Sequence, residues 1–204
     1  MNLKEISTII LASLVLALTV SFKQTEMLLY ASISFLIIIS LNILVKKGIG
    51  YYFESNVDTK FWSWYQWGFR KDSHFKKPLP MVWLPLILAL FTRGLFWWLP
   101  ILEFDVSPRV ERASRRHGLY RFTQVTEWHM GIIAMWGIFT SLILATIGYL
   151  LGFEIFAKYS IFYAVWSIVP LSNLDGSKIF FASRGLWITT LAVIIFFLLA
   201  GLMI

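Results

Sequence analysis

Five apolar runs, each close to the length of a bilayer's hydrocarbon core and holding no charge except Lys158, constrain this chain more than any other feature. They are Ile6–Phe22, Met27–Val45, Gly131–Phe153, Ile155–Leu171 and Trp187–Ile204. At about 1.5 Å per residue, roughly 20 helical residues cross a ~30 Å core. Of 204 residues, 58% are hydrophobic and only 14% charged, where a soluble domain carries about a quarter. The expected architecture is an all-α membrane protein, a multi-span helical bundle forming a single integral membrane domain over residues 1–204. The first run follows Lys4 and Glu5, and Ser21-Phe22-Lys23 offers no small-x-small cleavage site. It therefore reads as a retained helix rather than a signal peptide.

The 18 Lys and Arg exceed the 11 acids, a balance that can mark a nucleic-acid binder. Here the cations other than Arg93 and Lys158 lie in the connectors between apolar runs, as membrane topology requires, so no nucleic-acid partner is expected. The chain has no cysteine, which excludes disulfides and thiolate metal sites.

The segment Met81–Pro100 is apolar but carries Pro85, Arg93, Gly94 and Pro100. A charge at the centre of a lipid-facing helix costs about 2.5–3.5 kcal/mol on insertion scales. If the segment crosses, the two sides hold nine and eight cations, nearly a tie. If it dips and returns, and Arg93 is left out, one side holds fifteen and the other only Lys23 and Lys158. The positive-inside rule prefers the second arrangement. The expectation is a re-entrant or interfacial 81–100, in a cytoplasmic (cell) membrane, with the N-terminus in the cytoplasm and the C-terminus outside.

Between the second and third core helices, Asp58–Trp67 and Leu102–Val106 alternate as short strands do. They predict a small membrane-associated β element, with Trp62 and Trp64 on one face and Phe61 and Tyr65 on the other. These rings, with Trp97 and Trp98, read as an interfacial aromatic belt before a substrate site. Arg109–Arg121 reads as a cluster at the anionic leaflet, and Arg184 before Trp187 as a helix-end anchor. Gly131, Gly137 and Gly148 read as points of close helix packing.

Polar residues inside apolar runs are costly unless partnered or functional. Asn42 and Lys46, four apart, share a helix face near the cytoplasmic end of the second run. Asn173, Asp175 and Gly176 close the fourth run in Pro170-Leu-Ser-Asn-Leu-Asp-Gly176. Under the dipping topology the two groups fall on the same side of the membrane.

Pro170–Gly176, followed by Ser177-Lys178, resembles the Pro-x-x-x-Leu-Asp-Gly element of the site-2 protease family of intramembrane zinc metalloproteases. Gly137-Ile-Phe-Thr-Ser141 is similar to the family's Gly-Pro-Leu-x-Asn element, without its proline and with Ser141 in place of the Asn. Leu41-Asn-Ile-Leu-Val-Lys-Lys47, before Gly50-Tyr-Tyr-Phe53 and the strand-like Asp58–Trp62, stands where the family has its His-Glu-x-x-His helix. The resemblance spans roughly residues 30–185. It implies that Asp175 keeps the third zinc-ligand position, while Asn42 and Lys46 replace the two histidines and Ile43 the catalytic glutamate. Zinc needs about three His or carboxylate ligands and an open position for water. An ammonium has no lone pair, and isoleucine cannot accept a proton from the water. His74, His117 and His129 have no two members four apart, and they read as solvated or interfacial.

No catalytic residue, metal or other cofactor is therefore expected, and the candidate functional cluster is Asn42, Lys46, Asn173 and Asp175. An ion pair between Lys46 and Asp175, with Asn42 hydrogen-bonded nearby, would satisfy groups otherwise stranded in a low dielectric. The alternative has Lys46 snorkelling to the headgroups and Asp175 capping the turn into Gly176. The favoured function is a non-catalytic relative of the protease that binds or regulates transmembrane helices of other proteins, with the bilayer as its other partner. Two further readings stay open: a working metalloprotease holding zinc, and an unrelated small membrane protein of transport or lipid binding.

Overall fold

The computed structural model describes residues 3–66, 74–109 and 125–202. The chain begins with helix α1 (Leu3–Val20) and helix α2 (Leu28–Tyr52). The interior of α1 has neither glycine nor proline, so nothing interrupts its hydrogen-bond ladder. The two helices pack through Ile9, Ala12 and Leu16 on α1 against Phe35, Ile38 and Ile39 on α2. Helix α2 runs well past the apolar stretch that predicts it, so Lys46 and Lys47 are helical residues.

Next comes strand β1 (Ser55–Phe61), then β2 (Ser63–Gln66) and β3 (His74–Pro80). After a short turn, helix α3 (Leu84–Phe91) leads to strand β4 (Leu102–Pro108). β1 and β4 are antiparallel, from Ser55 opposite Pro108 to Phe61 opposite Leu102, and β2 pairs antiparallel with β3. Trp67 lies outside the described residues, and the alternation read over Asp58–Trp67 is thus two strands as far as Gln66. They part at Trp62, whose N–H donates to the Ile101 carbonyl (2.8 Å) and whose carbonyl accepts from Met81 (3.1 Å). β3 escaped the sequence reading because Lys76-Lys77-Pro-Leu-Pro80 shows no apolar alternation.

Helix α3 is only eight residues long, about 12 Å. The chain then reverses at Arg93 and Gly94, both with positive φ (52° and 71°). It returns extended, with Trp97 edge-on to Phe162 (5.5 Å between centroids) and Trp98 on Trp166 (4.8 Å). Because β4 pairs with the strand that directly follows α2, both ends of this long connector lie at one end of the bundle. The Trp62, Trp97 and Trp98 rings pack within the fold; Trp62 is fully buried.

Helix α4 (Glu127–Leu150) is capped by Thr126, whose hydroxyl accepts from the His129 N–H. Gly152, with φ of 80°, ends it, and the Phe153 N–H returns to the Gly148 carbonyl at 2.8 Å. That turn starts α5 (Glu154–Ser167), antiparallel and in contact with α4. Then follow α6 (Asp175–Ala182) and α7 (Arg184–Leu202). A second core joins Ile133, Ala134 and Ile138 of α4 to Ala164, Ile179 and Ile194, with Val57 and Phe104 from the sheet.

Among the described residues, four helices are long and apolar enough to cross a membrane: Leu3–Lys23, Thr25–Tyr52, Glu127–Leu150 and Arg184–Leu202. The fourth apolar run differs from the spanning helix read in it over 155–171. Its helix stops at Ser167 after 14 residues, about 21 Å, ahead of Pro170, which has no N–H to continue a ladder. The chain turns through Ser172 (φ 47°) into α6. There Gly176 sits against the backbone of Ile168 and Val169, and a Cβ would overlap the Ile168 carbonyl. The Gly176→Ala variant is expected to lose about 1–3 kcal/mol, the range for overpacking a tight contact. Thermal unfolding in detergent, followed by circular dichroism, checks this; an unchanged midpoint would mean that the α5–α6 junction is looser than described.

Candidate functional site

The i, i+4 spacing of Asn42 and Lys46 directs both toward α4 and α6, where both are buried. The Asn42 amide donates to the Gly137 carbonyl at 2.7 Å and reaches the Ser141 hydroxyl at 3.4 Å. The Lys46 stem then passes directly over Gly137. A Cβ there would overlap the lysine's Cε, so glycine is what lets the side chain through. Lys46 Nζ ends 2.5 Å from Asp175 Oδ2, and the two side chains are 7% and 9% exposed. Asp175 opens α6, where the helix's free N–H groups favour a negative charge.

The sheet closes the other side. Phe104 of β4 lies 4.9 Å from Lys46 Nζ, measured to its ring centroid, and 3.5 Å from Lys178 Nζ. Lys178 also donates to the Phe104 carbonyl. Between these groups is a cavity of about 20 Å³, room for roughly one water. Asn42, Lys46, Thr59, Glu103, Tyr163 and Asp175 are among its lining residues.

Asn42, Lys46 and Asp175 thus meet, and Ile43 lines the same cavity. Asn173 does not join them: it is exposed, carried outward by the turn at Ser172. Lys46 is buried rather than extended outward, and the Asp175 carboxylate pairs with it. His129 packs edge-on to Phe53 at 4.7 Å, whereas His117, Arg112, Arg115, Arg116 and Arg121 fall outside the described residues.

Glu103 and Thr59 also line this cavity, and no sequence motif marks them. In Leu-Glu-Phe-Asp-Val the acids at 103 and 105 alternate with apolar residues, a pattern that puts both on one strand face. Asp105 does face outward, paired with Lys60 at 2.6 Å, but Glu103 is 2% exposed. Lys60 Nζ stands 3.4 Å from Glu103 Oε1, and neither Glu103 oxygen nor the Thr59 hydroxyl has a hydrogen-bond partner. Burial pushes the Glu103 carboxyl above its ordinary range, against the opposing pull of Lys60. Burial likewise lowers the Lys178 ammonium to about 8, although nearby Asp175 works the other way.

Chemically, the arrangement is a neutralised charge pair. The ammonium occupies the open side of the carboxylate, has no lone pair to share, and repels a divalent ion. Among the described residues, no three His, Cys, Asp or Glu side chains gather as a metal site would require. No protein-family model, curated protein or solved structure matches the chain.

Removing one partner of a buried pair strands the other, which costs about 3–5 kcal/mol. Lys46→Met is expected to lose stability on that scale, and Lys46→Met with Asp175→Asn to recover most of it. A double-mutant cycle on denaturant unfolding in detergent reads the coupling; additive losses would show that the two charges do not depend on each other.

Proposed function

We propose that this chain is a non-catalytic, site-2 protease-like membrane protein that binds or regulates other membrane proteins. The observation that carries the reading is the 2.5 Å contact between Lys46 and Asp175. It puts an ammonium beside the one carboxylate that the resemblance assigns to zinc, and makes that carboxylate's partner a protein charge. Asn42 is likewise committed, to the Gly137 carbonyl. The general base that would activate a metal-bound water has no counterpart at Ile43, a hydrocarbon side chain. A helical scaffold with glycine contacts at 137 and 176 survives this loss, since its packing does not depend on the metal.

The surface for partners in this reading is α7. It buries only Thr190 and Ile194 and leaves Phe196 and Leu199 outward, so lipid or another protein's helix covers most of it. The cytoplasmic N-terminus and the cell-membrane location belong to the same proposal and rest on the charge count.

Three measurements test it. Protein purified without chelator is expected to contain far less than one zinc per chain by elemental analysis; a stoichiometric zinc that Asp175→Ala removes would favour the working protease instead. Photo-crosslinking residues at Phe196 and Leu199 are expected to capture another integral membrane protein in native membranes, and adducts with lipid alone would sink the binding role. With single cysteines at Lys23 and Lys77, an impermeant reagent outside intact cells is expected to label the first and spare the second. The opposite pattern would invert the topology.

A further inference from the structure

Glu103 is the one buried carboxylate lining the cavity that the ion pair does not use. Its two oxygens accept no hydrogen bond, although buried carboxylates ordinarily collect several. An ionised carboxylate left this way is expensive; a neutral carboxylic acid is much less so and can donate to a single water. The cavity beside it has room for that water. The Thr59 hydroxyl lines the same space and also lacks a partner.

Six elements bring charged or titratable groups to this part of the fold. On β1, Lys60 is opposite in register and 3.4 Å away; on β4, Asp105 takes the shorter contact with that lysine. On α2, Lys46 is committed to Asp175 of α6, and Lys178 of α6 donates to the Phe104 carbonyl. On α1, Glu5 accepts from Lys47 and from the Thr59 N–H. On α5, Tyr163 lines the cavity. Every cation in this set has a closer partner than Glu103.

We propose that Glu103 is a proton-binding site, a carboxylic acid held neutral inside the fold and hydrogen-bonded to a water in the cavity between β4 and the Lys46–Asp175 pair. On ionisation the O–H bond breaks and the proton passes to that water. The carboxylate left behind draws on Lys60, the nearest cation. Burial raises the acid's pKa, so the folded state holds this proton in a range where the unfolded chain has released it. The stability tied to the proton is therefore complete below the ordinary glutamate value of 4.5. It is lost as pH rises through the folded midpoint. This inference goes beyond the proposed function and does not depend on what replaces zinc.

Infrared difference spectroscopy on the full chain in lipid nanodiscs, titrated with pH, tests it. A protonated-carboxyl C=O band is expected to persist above pH 4.5, to shift in deuterated water, to vanish in Glu103→Gln and to move in frequency in Thr59→Val. Glu103→Asp is expected to retain a band with a displaced midpoint, which guards against a glutamine variant that misfolds. The thermal midpoint of the wild type is expected to fall as pH rises through the band's titration, and that step to be missing in Glu103→Gln. A wild-type spectrum without such a band, or a band that Glu103→Gln leaves in place, overturns the proposal. Zinc in the purified protein would overturn the proposed function and leave this band as it is.

Discussion

Every polar decision in the core follows from the cost of holding a charge where water cannot reach it. Lys46 enters the bundle from α2 because three things meet it there: the open backbone at Gly137, the carboxylate of Asp175, and the face of Phe104. Take away the carboxylate and the ammonium is stranded; add a side chain at Gly137 and the lysine stem has no route. The pair therefore ties three segments distant in sequence to one point, and the sheet strand β4 closes it from the fourth side. Dispersion and apolar burial hold the helices together, but many helix arrangements would satisfy those. The paired charges add a directional requirement that apolar contacts lack.

The same economics explain the connector between α2 and α4. Its backbone groups lie at an end of the bundle, where short antiparallel strands satisfy them in pairs. Its apolar segment is short and turns at Arg93 and Gly94, bringing the aromatic run Phe96–Trp98 back onto α5. The return delivers β4, and with it Phe104 and Glu103, to the ion pair. A loop that left the bundle and stayed out could not have closed the cavity.

Chemical meaning then rests on contrast between two carboxylates in one cavity. Asp175 has a cation at hydrogen-bonding distance and sits at a helix N-terminus, both of which favour its charge. Glu103 accepts no hydrogen bond and shares Lys60, 3.4 Å away, with the closer Asp105, and burial favours its proton. One group is paired with a cation from α2; the other is enclosed without a hydrogen-bond donor. The proposed non-catalytic role and the proposed proton site draw on these separate environments.

The apolar runs and the alternation over Asp58–Trp67 and Leu102–Val106 were enough to read a mostly helical chain with helices long enough to cross a membrane and a small β element after α2, because these depend on local length and period. Boundaries were less legible: α2 continues through Gly48 and Gly50, and the fourth run stops at Ser167, ahead of both Pro170 and the close contact of Gly176 with Ile168. Asn173 shares the Leu-Asp-Gly stretch yet points away, a matter of one positive φ at Ser172 that no composition reveals. Glu103 was invisible for a stronger reason. Alternation along β4 assigns it to the outer face with Asp105, and only packing of the assembled chain encloses it. Sequence sets which residues share a helix face or strand; burial, and hence which charges must find partners, is a property of segments far apart brought into contact.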